Sequence, residues 1–186
     1  MKIAIIGGTF DPPHIGHLQL AYEVYSLGKY QKIFFIPASI PAHKPKLIIS
    51  PPEVRLEMLE LCVDEEFLGI EKCEIERGGV SYTADTLEYC ANKYGEKPTF
   101  IIGDDLLAGF YKWKDPGLIE SRCYLMVARR LAGEKLDFPF RHSYLRNPIL
   151  EISSSDIRRR VKESRPIRYL VDSKVEKYIY ENGLYL

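Results

Sequence analysis

Four stretches of this chain are apolar almost without a break: KIAIIG (residues 2–7), KIFFIP (32–37), PTFIIG (98–103) and CYLMVA (123–128). A half-buried strand alternates apolar and polar residues, so unbroken runs of this kind call for cover on both faces. That requirement selects a parallel sheet with helices above and below it. A weaker run, PILEIS (148–153), is expected to add another strand.

Helical patterns lie between and after these runs. GHLQLAYEVYSLG (16–28) repeats apolar residues at helical spacing and stops at Gly28, a C-terminal cap. SPPEVRLEMLELCVD (50–64) offers Ser50 as N-cap with proline at the first helical positions. SYTADTLEYCANKYG (81–95) ends on Gly95 in the same way, and SSSDIRRRVKES and SKVEKYIYENG predict two helices near the C-terminus. Alternating strands and helices make the class α/β: a Rossmann-like parallel sheet flanked by helices on both faces, with a small C-terminal helical portion. The 186 residues suit one domain spanning 1–186, with no linker or repeat. Segments 37–52 and 133–148 are expected to be loops, the first a substrate loop carrying Lys44 and Lys46.

Composition narrows the function. Lys plus Arg and Asp plus Glu both number 26, which disfavours a nucleic-acid partner. No apolar run approaches the ~20 residues that cross a bilayer, so no membrane role is expected. MKIAIIGG breaks too early for a secretory signal, so the protein is expected to be cytoplasmic. Cys62, Cys73, Cys90 and Cys123 form no C-x-x-C pair and read as buried thiols of a reducing compartment. No metal-ligand cluster is evident.

The chemistry concentrates just after the first strand, in GGTFDPPHIGH (7–17). Ligands of open parallel sheets bind where strands end in loops. Gly7 and Gly8 allow close backbone approach, Thr9 and Asp11 add short polar groups, and Pro12 and Pro13 stiffen the loop. His14 and His17, spaced i, i+3, share one face of a helix N-terminus, where unpaired N–H groups favour phosphate. Two histidines and those N–H groups make a phosphate cradle.

This run resembles the signature of nucleotidyltransferases that carry H-x-G-H. It is neither a Rossmann G-x-G-x-x-G nor a Walker A loop. Class I aminoacyl-tRNA synthetases share the HIGH tetrapeptide, but this chain is short for one and has no K-M-S-K-S run. Within the superfamily the chain is most similar to the nicotinate mononucleotide adenylyltransferases, in five separated blocks. FIPASIPAHKP resembles their P-x-x-x-P-P-H-K segment, with Ala42 in place of a proline; RGGVSYTADTL resembles S-Y-T-x-D-T-L. FIIGDDLLAGFYKW resembles I-I-G-x-D followed by tryptophan, with Lys114 next where an aromatic is common. EISSSDIRRR resembles I-S-S-T-x-I-R with Ser155 for threonine, and VEKYIYENGLY resembles the family's C-terminal ending, taken as packing.

The resemblance implies transfer of the adenylyl group of ATP to nicotinate mononucleotide, releasing pyrophosphate, in NAD biosynthesis. It implies His14, His17, Lys44 and Arg158 as the catalytic group. It assigns Gly7, Gly8, Thr9, Phe10, His17, Ile152, Ser153, Ser154 and Arg158 to ATP. Lys44, Thr83, Asp85, Thr86, Asp105 and Trp113 go to the mononucleotide, with Trp113 stacking on its ring. Mg²⁺ is expected, held chiefly by substrate phosphates. The partners implied are these two small molecules, and the oligomeric state stays open. Nicotinamide mononucleotide and phosphopantetheine remain as alternative acceptors, and a non-catalytic nucleotide sensor as a reading from another class.

Overall fold

The computed structural model describes residues 1–42, 49–131 and 137–186. In chain order the elements are β1 (Ile3–Gly8), α1 (Ile15–Ser26), β2 (Lys32–Pro37), β3 (Ile40–Pro41), α2 (Pro52–Cys62), β4 (Leu68–Ile70), α3 (Cys73–Arg77) and β5 (Val80–Ser81). There follow α4 (Thr83–Tyr94), β6 (Thr99–Gly103), a 3₁₀ segment (Asp104–Lys112), α5 (Pro116–Arg122), β7 (Tyr124–Ala128), β8 (His142–Tyr144), α6 (Ser154–Lys162) and α7 (Ser173–Glu181). The main sheet runs β4-β2-β1-β6-β7-β8, and every neighbouring pair is parallel. Strands β3 and β5 form a separate parallel pair.

Counting only main-sheet strands, the order is 3-2-1-4-5-6, the Rossmann arrangement, with the strand order reversing between β1 and β6. Alternation along each strand divides the core. Ala4, Ile6, Ile33, Phe35 and Ile101 pack with α1, α2, α6 and α7. Ile3, Ile5, Phe100 and Ile102 point the other way, toward α4, α5 and the 3₁₀ segment. The unbroken apolar runs are therefore explained: both faces are covered. The C-terminal helical portion packs into the α1/α2 layer through Ile157, Val161, Val175 and Ile179.

Helix ends follow their residues. Gly28 and Gly95 take positive φ of 63° and 75°, which ends α1 and α4 as expected. Ser153 caps α6, its Oγ accepting from Asp156 N–H at 3.0 Å. Two expectations are corrected. Pro51, not Ser50, is the N-cap of α2, because the Ser50 amide is drawn to Asp11 Oδ2 at 3.1 Å. PILEIS is not a strand; the sixth strand is β8, inside the segment expected to be a loop. The reason is local. Beyond Leu145 the Asn147 side chain takes both backbone groups of Arg129 at 2.9 Å, and Pro148 has no N–H to continue the ladder. All four cysteines are buried free thiols. Among the described residues no helix is long and apolar enough to cross a membrane.

Candidate active site

The C-terminal ends of β1 and β6 open into one cavity of about 400 Å³, within the range that holds a small ligand. Its floor is the segment between β1 and α1. His14 is the N-cap of α1 and its ring stacks on that of His17, with centroids 3.6 Å apart. His17 Nδ1 accepts the backbone N–H of His14 at 3.1 Å. In a neutral ring the proton must then sit on Nε2, which becomes a donor. His14 Nδ1 is buried without a hydrogen-bond partner, and a Cβ on Gly16 would come within 3.1 Å of it. Nε2 is thus the nitrogen left to meet a ligand. Phe10, at φ +52°, sets its edge against His17 at 4.9 Å. The amide of Ile15 is already taken by Leu170 O at 2.9 Å, so this helix start offers fewer free N–H groups than the sequence implies.

Burial, and then the charge of Arg130, push the His14 ring down to about 3. Burial, then His14 and Arg130, hold His17 well below its ordinary value. Both rings are neutral near pH 7, two hydrogen-bonding groups rather than two charges.

Several elements hold this floor in place. Arg55, fully buried on α2, gives its guanidinium to three carbonyls: Ser50 at 3.0 Å, Thr9 at 2.8 Å and Ser39 at 3.0 Å. Asp11 is buried and accepts from Ser50 N and from Tyr185 Oη. From α6, Ser154 Oγ donates to Pro12 O at 2.9 Å. Arg158 Nη1 donates to Asp11 O at 2.7 Å and its Nη2 to Ser155 Oγ at 3.3 Å. The helix that forms one wall is therefore locked to the histidine loop.

The opposite wall comes from β6 and β7. Buried Asp104 accepts from the amides of Arg130 and Leu131 and from Arg129 Nε. This turns Arg130 over the cavity, where its Nη1 meets Asp105 Oδ2 at 3.3 Å. At the far end the start of α4 supplies Thr83 and Thr86, beside Glu74, Ser81 and Trp113. Trp113 is also core, tilted against Phe110 at 5.0 Å.

The cavity thus gathers Gly7, Gly8, Thr9, Phe10, His14 and His17 from the first loop. To these it adds Ile152, Ser153, Ser154 and Arg158, and Thr83, Thr86, Asp105 and Trp113. Asp85 is not among the lining residues; its carboxylate pairs with Lys114 Nζ at 3.4 Å. Lys44 lies outside the described residues. Sequence reasoning missed Arg129, Arg130, Glu74 and Arg55. The arginine pair had a signal, since it directly follows an apolar strand at the ligand-binding edge of the sheet.

Residues 5–160 match the family model described as cytidylyltransferase-like. A protein of Borrelia garinii subsp. bavariensis, named "Probable nicotinate-nucleotide adenylyltransferase", is 44% identical over 190 residues, covering 100% of this chain and 95% of that one. A Bacillus anthracis protein of the same name is 42% identical, covering 99% and 98%. Among solved structures, the Plasmodium falciparum nicotinic acid mononucleotide adenylyltransferase complexed with NaAD superposes with a TM-score of 0.83. It covers 99% of this chain and 97% of its own at 19% identity, a likeness of fold.

Proposed function

The chain belongs to the cytidylyltransferase-like family and, within it, to the nicotinate-nucleotide adenylyltransferases, and from that premise we infer how its cavity works. It is an enzyme that transfers the adenylyl group of ATP to nicotinate mononucleotide, in NAD biosynthesis. An oxygen of the mononucleotide 5′-phosphate attacks the α-phosphorus of ATP. The bond to the β-phosphate oxygen breaks, and pyrophosphate leaves with its electron pair. No protein nucleophile is needed. The protein's work is to bring two polyanions together and to stabilise the charge that spreads over their oxygens.

One observation carries the residue assignment: the neutral His14–His17 stack, with His17 Nε2–H as donor, lies on the floor of the cavity that Arg130 and Arg158 also line. His17, with His14, donates to the ATP phosphates. Arg158, now spent on Asp11 O and Ser155 Oγ, turns its fork to the outgoing pyrophosphate. Arg130 exchanges Asp105 for a substrate phosphate. Gly7, Gly8 and Thr9 leave the backbone accessible to the nucleotide. The ring of the mononucleotide lies between Trp113 and the start of α4, whose N–H groups suit a carboxylate.

Mg²⁺ chemistry neutralises phosphate charge when the ion is bound. Among the described residues no three His, Cys, Asp or Glu side chains converge on a point. Asp11 has both carboxylate oxygens engaged. These side chains do not fit a protein-built magnesium cage. A magnesium ion would be held chiefly by the triphosphate oxygens and would supply charge neutralisation there.

Pyrophosphate release with Mg-ATP tests the assignment, using nicotinate mononucleotide, nicotinamide mononucleotide or phosphopantetheine as acceptor. Fast release with the first is expected. Release with phosphopantetheine alone would overturn the ring-end assignment.

A further inference from the structure

Glu74 is a carboxyl group without a role in the phosphate chemistry, yet it lines the ring end of the cavity. It is 8% exposed. Its Oε1 lies 2.5 Å from Thr86 Oγ1, and Ser81 also hydrogen-bonds to it. Thr86 Oγ1 lies 3.3 Å from Tyr82 O as well. A hydroxyl has one proton, so it can serve only one of these two acceptors. If Glu74 is protonated, it donates to Thr86 and Thr86 donates to Tyr82 O, and both contacts are satisfied. If Glu74 is ionised, Thr86 donates to it and the Tyr82 contact lapses. The network therefore has two proton arrangements that differ by one charge at the cavity wall, and only the neutral one satisfies both contacts.

That charge matters to the substrate. Nicotinate carries a carboxylate where nicotinamide carries a neutral amide. A protein carboxylate against the same helix start would repel the nicotinate group and leave the neutral amide almost unaffected. We propose that Glu74 sets the acid-versus-amide preference of the ring end. As a neutral acid it admits an anionic ring substituent at the start of α4; as a carboxylate it repels that substituent. The proposal rests on the adenylyl-transfer reading and on the ring lying beside α4.

The surroundings favour the neutral form. Burial is the largest influence on Glu74 and holds its carboxyl above the ordinary range, against the hydroxyls of Thr86 and Ser81 and the charge of Arg77. Arg77, on the same helix, places Nη2 3.5 Å from Thr86 Oγ1. From α4, Cys90 also senses Glu74. Its thiol is pushed far up, first by the Cys73 hydrogen bond and then by burial, so it stays neutral across the relevant range.

The test is the ratio of kcat/KM for nicotinate mononucleotide to that for nicotinamide mononucleotide, followed across the whole pH range in which the enzyme stays folded. Titrations shared by both reactions, in the phosphates and histidines, divide out. In the unaltered enzyme the ratio should fall on the order of tenfold as pH rises. In Glu74→Gln, neutral throughout, it should stay flat. A flat ratio in the unaltered enzyme would overturn the proposal, and needs no variant to fold. A variant whose ratio falls in parallel would overturn it too, by assigning the titration elsewhere. Absence of turnover with both ring forms would take down the adenylyl-transfer reading, and this one with it. Normal turnover with a flat ratio removes Glu74's role alone.

Discussion

Tyr185 Oη donates to Asp11 Oδ1 at 2.7 Å, so the next-to-last residue of the chain holds the loop that precedes the histidines. Asp11 is the hub of that loop: its carboxylate takes Ser50 N–H and Tyr185, and its carbonyl takes Arg158. Tyr185 sits at φ +67°, a conformation that packing must impose on a tyrosine. Burial, then Asp11, push its hydroxyl well above the ordinary range, so it is a donor at every working pH. Tyr185→Phe removes one proton and keeps the packing. It should cost about 1–2 kcal/mol of stability, because a buried carboxylate loses a donor. It should also raise KM for ATP several-fold, through the loop. Denaturant titration and steady-state kinetics check both. A stability loss with unchanged KM would make Tyr185 a structural strap only.

His17 is expected to matter to rate more than to folding. Its Nδ1 bond to His14 N–H orients the ring, and its Nε2–H is the donor. His17→Ala should lower kcat by about 10²–10³, the usual scale for losing one preorganised donor. The far-ultraviolet spectrum should be unchanged. His17→Asn, which keeps a side-chain polar group, should recover part of the loss. Turnover like that of the unaltered enzyme in His17→Ala would sink the assignment.

The same histidines set an acid limit. In the unfolded chain a histidine protonates near its ordinary 6.5, whereas His14 in the fold does so only at about 3. Between these values the unfolded chain binds more protons. Stability from His14 is therefore complete above about pH 6.5 and is lost as pH falls toward 3. His17, also held low, acts in the same direction. For His14 the slope approaches about 1.4 kcal/mol per pH unit inside that window. Denaturation at about pH 7 and about pH 5.5 should show this loss. His14→Asn should show a shallower one; an equal slope in that variant would place the acid sensitivity in groups other than His14.

The legible parts of the fold were those dictated by local pattern. Residues 32–37 and 98–103 are apolar on both faces, and no other environment accommodates them. Gly28 and Gly95 end helices by a backbone conformation that glycine adopts at little cost. What escaped was set by tertiary partners. Strand β8 is short and polar, held by pairing with β7 rather than by its own burial. Arg55 sits in a helical stretch like any snorkelling arginine, and only the chain around it shows its three carbonyl partners. Glu74 lies on a five-residue helix with too little periodicity to announce itself. The first loop was readable because glycines, prolines and paired histidines in one run have few other uses.

Gly103 ends β6 where the wall of the site begins, and its lack of a side chain is the condition for that wall. A Cβ there would come 2.3 Å from Asp105 Oδ1 and 2.8 Å from Arg130 Cδ. Both atoms belong to side chains that can swing away, and φ at Gly103 is −71°, open to any residue. Gly103→Ala should therefore fold, with a stability change within about 1 kcal/mol. It should break the Arg130–Asp105 pair, at 3.3 Å, and displace the guanidinium from its place near the histidines. The expected result is a rise of about tenfold or more in KM for the substrate whose phosphate Arg130 meets, with kcat reduced less, because a phosphate contact is misplaced while the His14–His17 stack is untouched. The histidines would also lose the positive charge that helps keep them neutral, so their protonation, followed by NMR titration, should move upward from its low value. If KM rises while that titration stays fixed, Arg130 meets the substrate without acting on the histidines. If neither moves, Arg130 has no part in the site.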